Sequence, residues 1–289
     1  MQKCMVLSLS NYGFFGGVMN DFQAKLLEIF KWLTKFLDKN NIKYYAIGGT
    51  MLGAVRHNGF IPWDDDIDIA VPRKDYNRLI ELFNKKIDHY ILECPNTNDG
   101  DYCYNYAKVY DTDTTLIERA KKRIIRGVYI DIFPLDGIGN SYEEALANYK
   151  TIDKKNMLLT TKMSGYRKGR KWWKNLASLL GYVLPVNCKK MAIKIDSLCS
   201  KLDFDDCLFV GNLVSTYRSR EIMEKRVFGK PTAYSFEGLT IYGPENYDEY
   251  LSILFGDWQK LPPPEKRVSA HNNVYLDLNT PWLSYGKGN

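Results

Sequence analysis

The stretch "GFIPWDDDIDIAV", residues 59–71, places Asp64, Asp65, Asp66 and Asp68 within five positions at the mouth of an apolar run. Carboxylates so close repel one another unless something cationic joins them. If residues 66–71 are extended, Ile67, Ile69 and Val71 point to one side and Asp66 and Asp68 to the other. Two acids on one strand face suit Mg²⁺, a hard cation that takes oxygen ligands and shares them with substrate phosphate. The stretch "YIDIF" repeats the pattern, with Asp131 between Ile130 and Ile132. An acid alone in an apolar strand is costly to bury. Asp131 is therefore expected beside Asp66 and Asp68, completing a three-carboxylate metal site.

These acids need elements to position them. Upstream, "AIGGTMLG" supplies Gly48 and Gly49, where a ligand can approach the backbone closely, and Thr50, which adds a hydroxyl. Successive amide N–H groups leading into a helix can hold a phosphate. Phe22, Leu26, Ile29, Phe30, Leu33 and Leu37 recur at helical steps after the capping residues Asn20 and Asp21. "IKYYAIGGT" reads as a short strand and glycine turn, "AVRHNGFIP" as a loop, and "DIDIAV" as a strand. A helix follows through Tyr76, Leu79, Ile80 and Phe83, then strand, turn and strand in "NYAKVYDTDTTLIE". "RGVYIDIFPLDGI" reads as a buried strand ended by Pro134. From Ser141, whose "SYEE" is a capping box, helical spacing dominates. Asn246 and Gly256 bound a last short helix. The expectation is an α+β protein. Its catalytic core spans residues 20–140 around a mixed sheet, and a mainly helical half with a C-terminal tail, 141–289, packs on it. A glycine turn, a D-x-D and a third aspartate, in that order, form the pattern of a nucleotidyltransferase fold, in which metal ions clamp a phosphate during in-line displacement.

The residues also carry a resemblance. "GGTMLGAVRHNGFIPWDDDIDIAV" closely resembles the signature of the LicD family of phosphocholine transferases, whose fukutin-type relatives transfer ribitol phosphate. "AKVYDTDTTLIE", "GVYIDIFPLDGI" and "FEGLTIYGPENYDEYLSILFGDWQKLPPPEKRVSAH" resemble further blocks of that family, so the likeness spans most of residues 22–271. It implies a nucleotidyltransferase-like core, a divalent metal (Mg²⁺ or Mn²⁺) and a CDP-activated donor, typically CDP-choline. Phosphocholine would pass to a sugar hydroxyl of a bacterial surface glycan or its lipid-linked precursor, releasing CMP. Carried onto this chain, the metal ligands are Asp66, Asp68 and Asp131, with Asp64 as a further candidate. Gly48, Gly49 and Thr50 form the family turn. Arg56, His57 and Lys108 fall in matched blocks and are expected at the donor diphosphate, and His271 falls in the last block. Three alternatives stay open: another CDP-linked group such as ribitol, glycerol or ethanolamine phosphate; a true nucleotidyltransferase releasing pyrophosphate; or a nucleotide-binding scaffold without chemistry.

Composition narrows the setting. The 289 residues carry a net charge of +6, which suits anionic partners. Six scattered cysteines without a C-x-x-C pair fit reduced thiols in a cytosol, and three dispersed histidines are too few for a His-rich metal site. No segment approaches ~20 apolar residues. The expected location is cytoplasmic, with peripheral contact at the inner membrane face through "YRKGRKWWK", residues 166–174, whose cations and aromatics suit a lipid interface. A solvated loop is the plainer reading of that segment. No nucleic-acid motif accompanies it, and no nucleic-acid partner is expected. Trp63, Tyr242, Tyr247 and Tyr250 are expected to pack rather than to cage a choline.

Overall fold

The computed structural model describes residues 19–97, 104–119, 123–164, 171–183, 186–269 and 273–285. Helix α1 (Asp21–Lys39) starts with a capping box: the Gln23 N–H donates to Asn20 Oδ1 at 2.8 Å, and the Asn20 N–H donates back to Gln23 Oε1 at 3.2 Å. Its six apolar residues named above are all buried, each contributing about 1.5–3 kcal/mol over exposure. Next come β1 (Tyr45–Ala46), α2 (Gly48–His57), β2 (Asp68–Pro72) and α3 (Arg73–Phe83). Strands β3 (Lys86–Ile87), β4 (Tyr90–Glu93), β5 (Ala107–Asp111), β6 (Thr115–Arg119), β7 (Arg123–Arg126) and β8 (Tyr129–Gly139) follow. The second half contains α4 (Tyr142–Met163), α5 (Trp172–Val183), α6 (Cys188–Cys199), β9 (Phe209–Gly211), β10 (Met223–Glu224), α7 (Lys225–Phe228), the hairpin β11 (Thr232–Phe236) and β12 (Leu239–Gly243), α8 (Tyr247–Phe255) and β13 (Asn273–Asp277).

The sheet runs β1-β2-β8-β5-β4-β3, with β9 added along the far part of β8 and β10 beyond it. β2 and β8 are parallel and the other pairs are antiparallel, so the sheet is mixed as expected. The main hydrophobic cluster joins α1 and this sheet to residues 204–258. A second cluster lies between α4, α6, Ile138, Leu213 and Ile222.

Four local expectations change. The glycine pair is not a free turn but the first turn of α2, which continues to His57 through residues read as loop. β2 starts at Asp68, so Asp66 lies just before the strand rather than within its alternation. β8 does not stop at Pro134 but runs to Gly139. On the edge of β8 away from β2 the β5 ladder ends at Ile132 and the β9 ladder begins at Asp136, so Pro134, still in register with Val71 of β2, falls in a gap on that edge. The second half is also less helical than its periodicity implied, because the chain returns to short strands after α6. Buried Arg73 closes the join between α3 and β8, donating to both Asp136 oxygens (2.6 and 2.8 Å) and to Asp196 of α6 (2.8 Å).

Candidate active site

Register assembles the site. Asp68 of β2 is the partner of Asp131 on β8, and Asp131 is in turn the partner of Lys108 on β5. Directly paired residues project from the same face, so Asp68, Asp131 and Lys108 form a row across three strands. Ile69, Ile130 and Ile132 fill the other face as core. The segment before β2 is held by backbone contacts: the Asp131 N–H donates to the Ile67 carbonyl (3.1 Å), and the Ile47 N–H to the Asp68 carbonyl (3.2 Å).

The amino end of α2 abuts this row. Gly48 has φ +54°, the left-handed region that a residue with a Cβ adopts at a cost, and a Cβ there would sit 3.6 Å from Asp68 Oδ2. Its N–H donates to the buried Tyr250 hydroxyl at 3.0 Å. A Cβ on Gly49 would meet Asp64 Oδ2 at 2.6 Å, so only glycine lets that carboxylate lie against the helix end. Thr50 turns inward: its hydroxyl accepts from the Asp68 N–H at 2.8 Å and fixes the first residue of β2. Gln23 Nε2 donates to the Asp64 carbonyl at 2.9 Å, tying α1 to the acidic loop. Ser269 donates to Asp65 Oδ2 at 2.7 Å, bringing the C-terminal segment to the same loop.

Asp131 and Lys108 are both buried, with Nζ 2.8 Å from Oδ1. That is ion-pair contact, but Oδ1 lacks an aligned hydrogen bond and is buried without one. Burial raises the Asp131 pKa, the Lys108 ammonium opposes the rise, and Glu118 and Asp66 add to it. The ammonium also lies over the Tyr129 ring at 3.4 Å and the Tyr104 ring at 4.5 Å. Lys108 therefore serves as the counter-charge of Asp131, a role that sequence did not assign to it.

Arg56 Nη1 donates to the Trp258 carbonyl at 2.7 Å, and its Nε donates to His57 Nε2 at 3.0 Å. His57 sits edge-on to Trp63, and its pKa is lowered by burial and by Arg56, so it is neutral near pH 7. His271 lies outside the described residues, as do Arg167, Lys168 and Arg170 of the basic segment. Tyr217 and Tyr250 were not expected here. A Cβ on Gly48 would lie 3.7 Å from the Tyr217 ring, and burial followed by Asp68, Asp66 and Asp64 raises the Tyr217 pKa. No local pattern marks either tyrosine, because long-range folding brings both to the site.

A metal fits the chemistry of these donors: acids on two neighbouring strands stand in register beside the glycine end of α2. Among the described residues, another group of possible metal ligands lies elsewhere. His89, Asp111 and Asp113 each offer an atom within 4.8 Å of the others. Asp111 there already has partners: Lys25 Nζ at 3.5 Å and the Asp113 N–H at 2.9 Å.

Comparison with known proteins follows the same lines. The model of the LicD/FKTN/FKRP nucleotidyltransferase domain matches residues 41–183, which include the α2 end, β2, β5 and β8. A lipopolysaccharide cholinephosphotransferase, LicD of Haemophilus influenzae, is 28% identical over 260 residues, 86% of this chain and 94% of that protein. The human ribitol 5-phosphate transferase FKRP is 33% identical over 57 residues, 20% of this chain and 12% of its own. Mannosyltransferase regulator 4 of Saccharomyces cerevisiae is 30% identical over 112 residues, 39% of this chain and 9% of its own. Residues 41–183 of this chain thus form a nucleotidyltransferase domain of the LicD family.

Proposed function

We propose that this protein transfers phosphocholine from CDP-choline to a sugar hydroxyl of a bacterial surface glycan or its lipid-linked precursor, releasing CMP. One observation carries the reading. Asp68 and Asp131 stand in register beside the glycine end of α2, in a chain that matches a lipopolysaccharide cholinephosphotransferase along nearly all of that protein's length.

Asp66, Asp68 and Asp131 would hold Mg²⁺ or Mn²⁺, with Asp64 beside them. When bound, the ion neutralises phosphate charge and lowers the pKa of an attacking hydroxyl. The first turn of α2 presents its positive dipole end to the donor diphosphate, and Gly48 and Gly49 keep that approach open. Thr50 and Tyr250 position this turn and the start of β2. A carboxylate of the acidic loop takes the acceptor proton. Arg56 and neutral His57 brace the outer end of α2 and the Trp258 loop.

The test is phosphorus NMR of the full chain with CDP-choline, Mg²⁺ and a glycan acceptor. CMP release that needs the acceptor, and falls at least a hundredfold in Asp68→Asn with little change in melting temperature, is the expected result. Release of pyrophosphate would identify a nucleotidyltransferase instead. Turnover of CDP-ribitol, CDP-glycerol or CDP-ethanolamine in preference to CDP-choline would reassign the donor. Undiminished rates in Asp68→Asn would sink the metal-site assignment.

A further inference from the structure

Helix α5 is built inside out. Its leucines and tryptophans face solvent: Trp172 is 75% exposed, Leu179 67%, Leu180 60%, Trp173 51% and Leu176 45%. At 3.6 residues per turn, these five side chains fall within an arc of about 120°. The opposite side carries Ser178 and Gly181, both buried, and a Cβ on Gly181 would meet Thr161 of α4 at 3.3 Å. Small residues pack inward, and the apolar stripe that a surface helix normally buries is turned outward. A contiguous exposed apolar face of this kind marks an interaction surface.

Charge indicates what meets it. Eleven of the 40 lysines and arginines fall between Lys154 and Ile195, a stretch without a single aspartate or glutamate. The other 29 are outnumbered by the 34 acids, all of which lie outside it. The net positive charge is thus concentrated in the stretch of sequence that contains α5, and exposed Lys171 immediately precedes its first residue. Among the described residues, no helix is long and apolar enough to cross a membrane. A helix lying in the interface plane, with leucines and tryptophans among acyl chains and cations at the headgroups, uses both features. Nucleic acid would use the cations but leave the leucines in water.

We infer that the Trp172–Leu180 face of α5 docks the protein on an anionic phospholipid surface, inserting shallowly rather than spanning it. This inference does not depend on the reaction proposed above, and its test needs no turnover. The full-length protein is mixed with vesicles of phosphatidylglycerol and phosphatidylcholine, or of phosphatidylcholine alone, and followed by co-sedimentation and tryptophan emission. Wild type is expected to bind the anionic vesicles at least tenfold more tightly, with emission shifted to the blue, and to be released as salt rises. Leu179→Gln with Leu180→Gln, and separately Trp172→Gln, are expected to weaken binding at least tenfold. These sites are exposed, so melting and CD spectra stay unchanged. The inference would be overturned by no preference for anionic vesicles, by full binding by the leucine variant, or by a concentration-dependent dimer abolished by that variant, which would assign the face to a second copy of the chain. Tighter binding to a duplex oligonucleotide than to vesicles would do so as well.

Discussion

Replacing Lys108 with methionine tests whether Asp131 depends on a protein counter-charge. The two groups meet at 2.8 Å with almost no exposure, and methionine keeps the apolar stem against the tyrosine rings while deleting the charge. Breaking a buried pair by removing one partner costs roughly 3–5 kcal/mol, because the other charge stays behind. For a chain of this length, each kcal/mol moves the melting temperature by about 2 °C, so a loss of roughly 6–10 °C is expected at pH 7.5. The pH dependence has a definite sign. Burial already holds the Asp131 pKa above its ordinary value, and loss of the ammonium that opposes this raises it further. An acid whose folded pKa lies above its unfolded one destabilises the folded state at pH above the folded value, and this cost vanishes below the unfolded value near 4. The Lys108→Met penalty is therefore largest at neutral pH and shrinks towards pH 5. Adding Asp131→Asn should restore more than half of it, a coupling read from a double-mutant cycle by urea denaturation. A penalty independent of pH, or single costs that simply add in the double variant, would refute the pairing argument.

Three further perturbations probe the neighbouring framework. Tyr250→Phe leaves the buried Gly48 N–H without its acceptor and should cost about 1–3 kcal/mol by urea denaturation, with weaker donor binding by calorimetry. Gly49→Ala forces Asp64 Oδ2 away from a Cβ 2.6 Å distant; metal- and donor-induced stabilisation should fall severalfold while the metal-free melt moves by less than about 2 °C. Glu221 is buried, and burial pushes its pKa to about 7 against hydrogen bonding from Ser215 and the charge of Arg220; Glu221→Gln should therefore stabilise the protein at pH 8, by up to about 3 kcal/mol, and lose that advantage towards pH 5.

The local grammar of the site could be read from sequence, but its electrostatics could not. Alternation placed Asp68 and Asp131 on polar strand faces, and the register of β2 with β8 makes them direct partners. The spacing of Phe22 to Leu37 and the cap at Asn20 gave α1 almost to the residue. Helix α2 escaped because Gly48, Gly49 and Gly53 depress helix propensity, and the helix is held by contacts from distant elements such as Tyr250. Asp131 was expected to find its partner in a metal. Lys108 lies 23 positions earlier on a strand whose pairing no local pattern reveals; its family block points it to the donor diphosphate, and its contact with Asp131 emerges only when β5 is laid against β8. Pro134 misled for a related reason: a proline ends a strand only where a ladder needs its N–H, and β8 changes partners at that point.

That parallel pairing also bears on the order in which the molecule assembles. Asp68 and Asp131 are separated by 63 positions, and the antiparallel strands β3, β4 and β5 lie between them in the chain. Such a closure is entropically expensive and forms slowly compared with helices or hairpins. The two like charges thus meet only when apolar neighbours on the opposite face of the same strands, Ile69 and Ile132, meet as well. Repulsion is introduced together with the burial of these isoleucines. Chains caught short of that step hold their aspartates apart in water, so phosphate chemistry is available only to molecules that have completed the sheet.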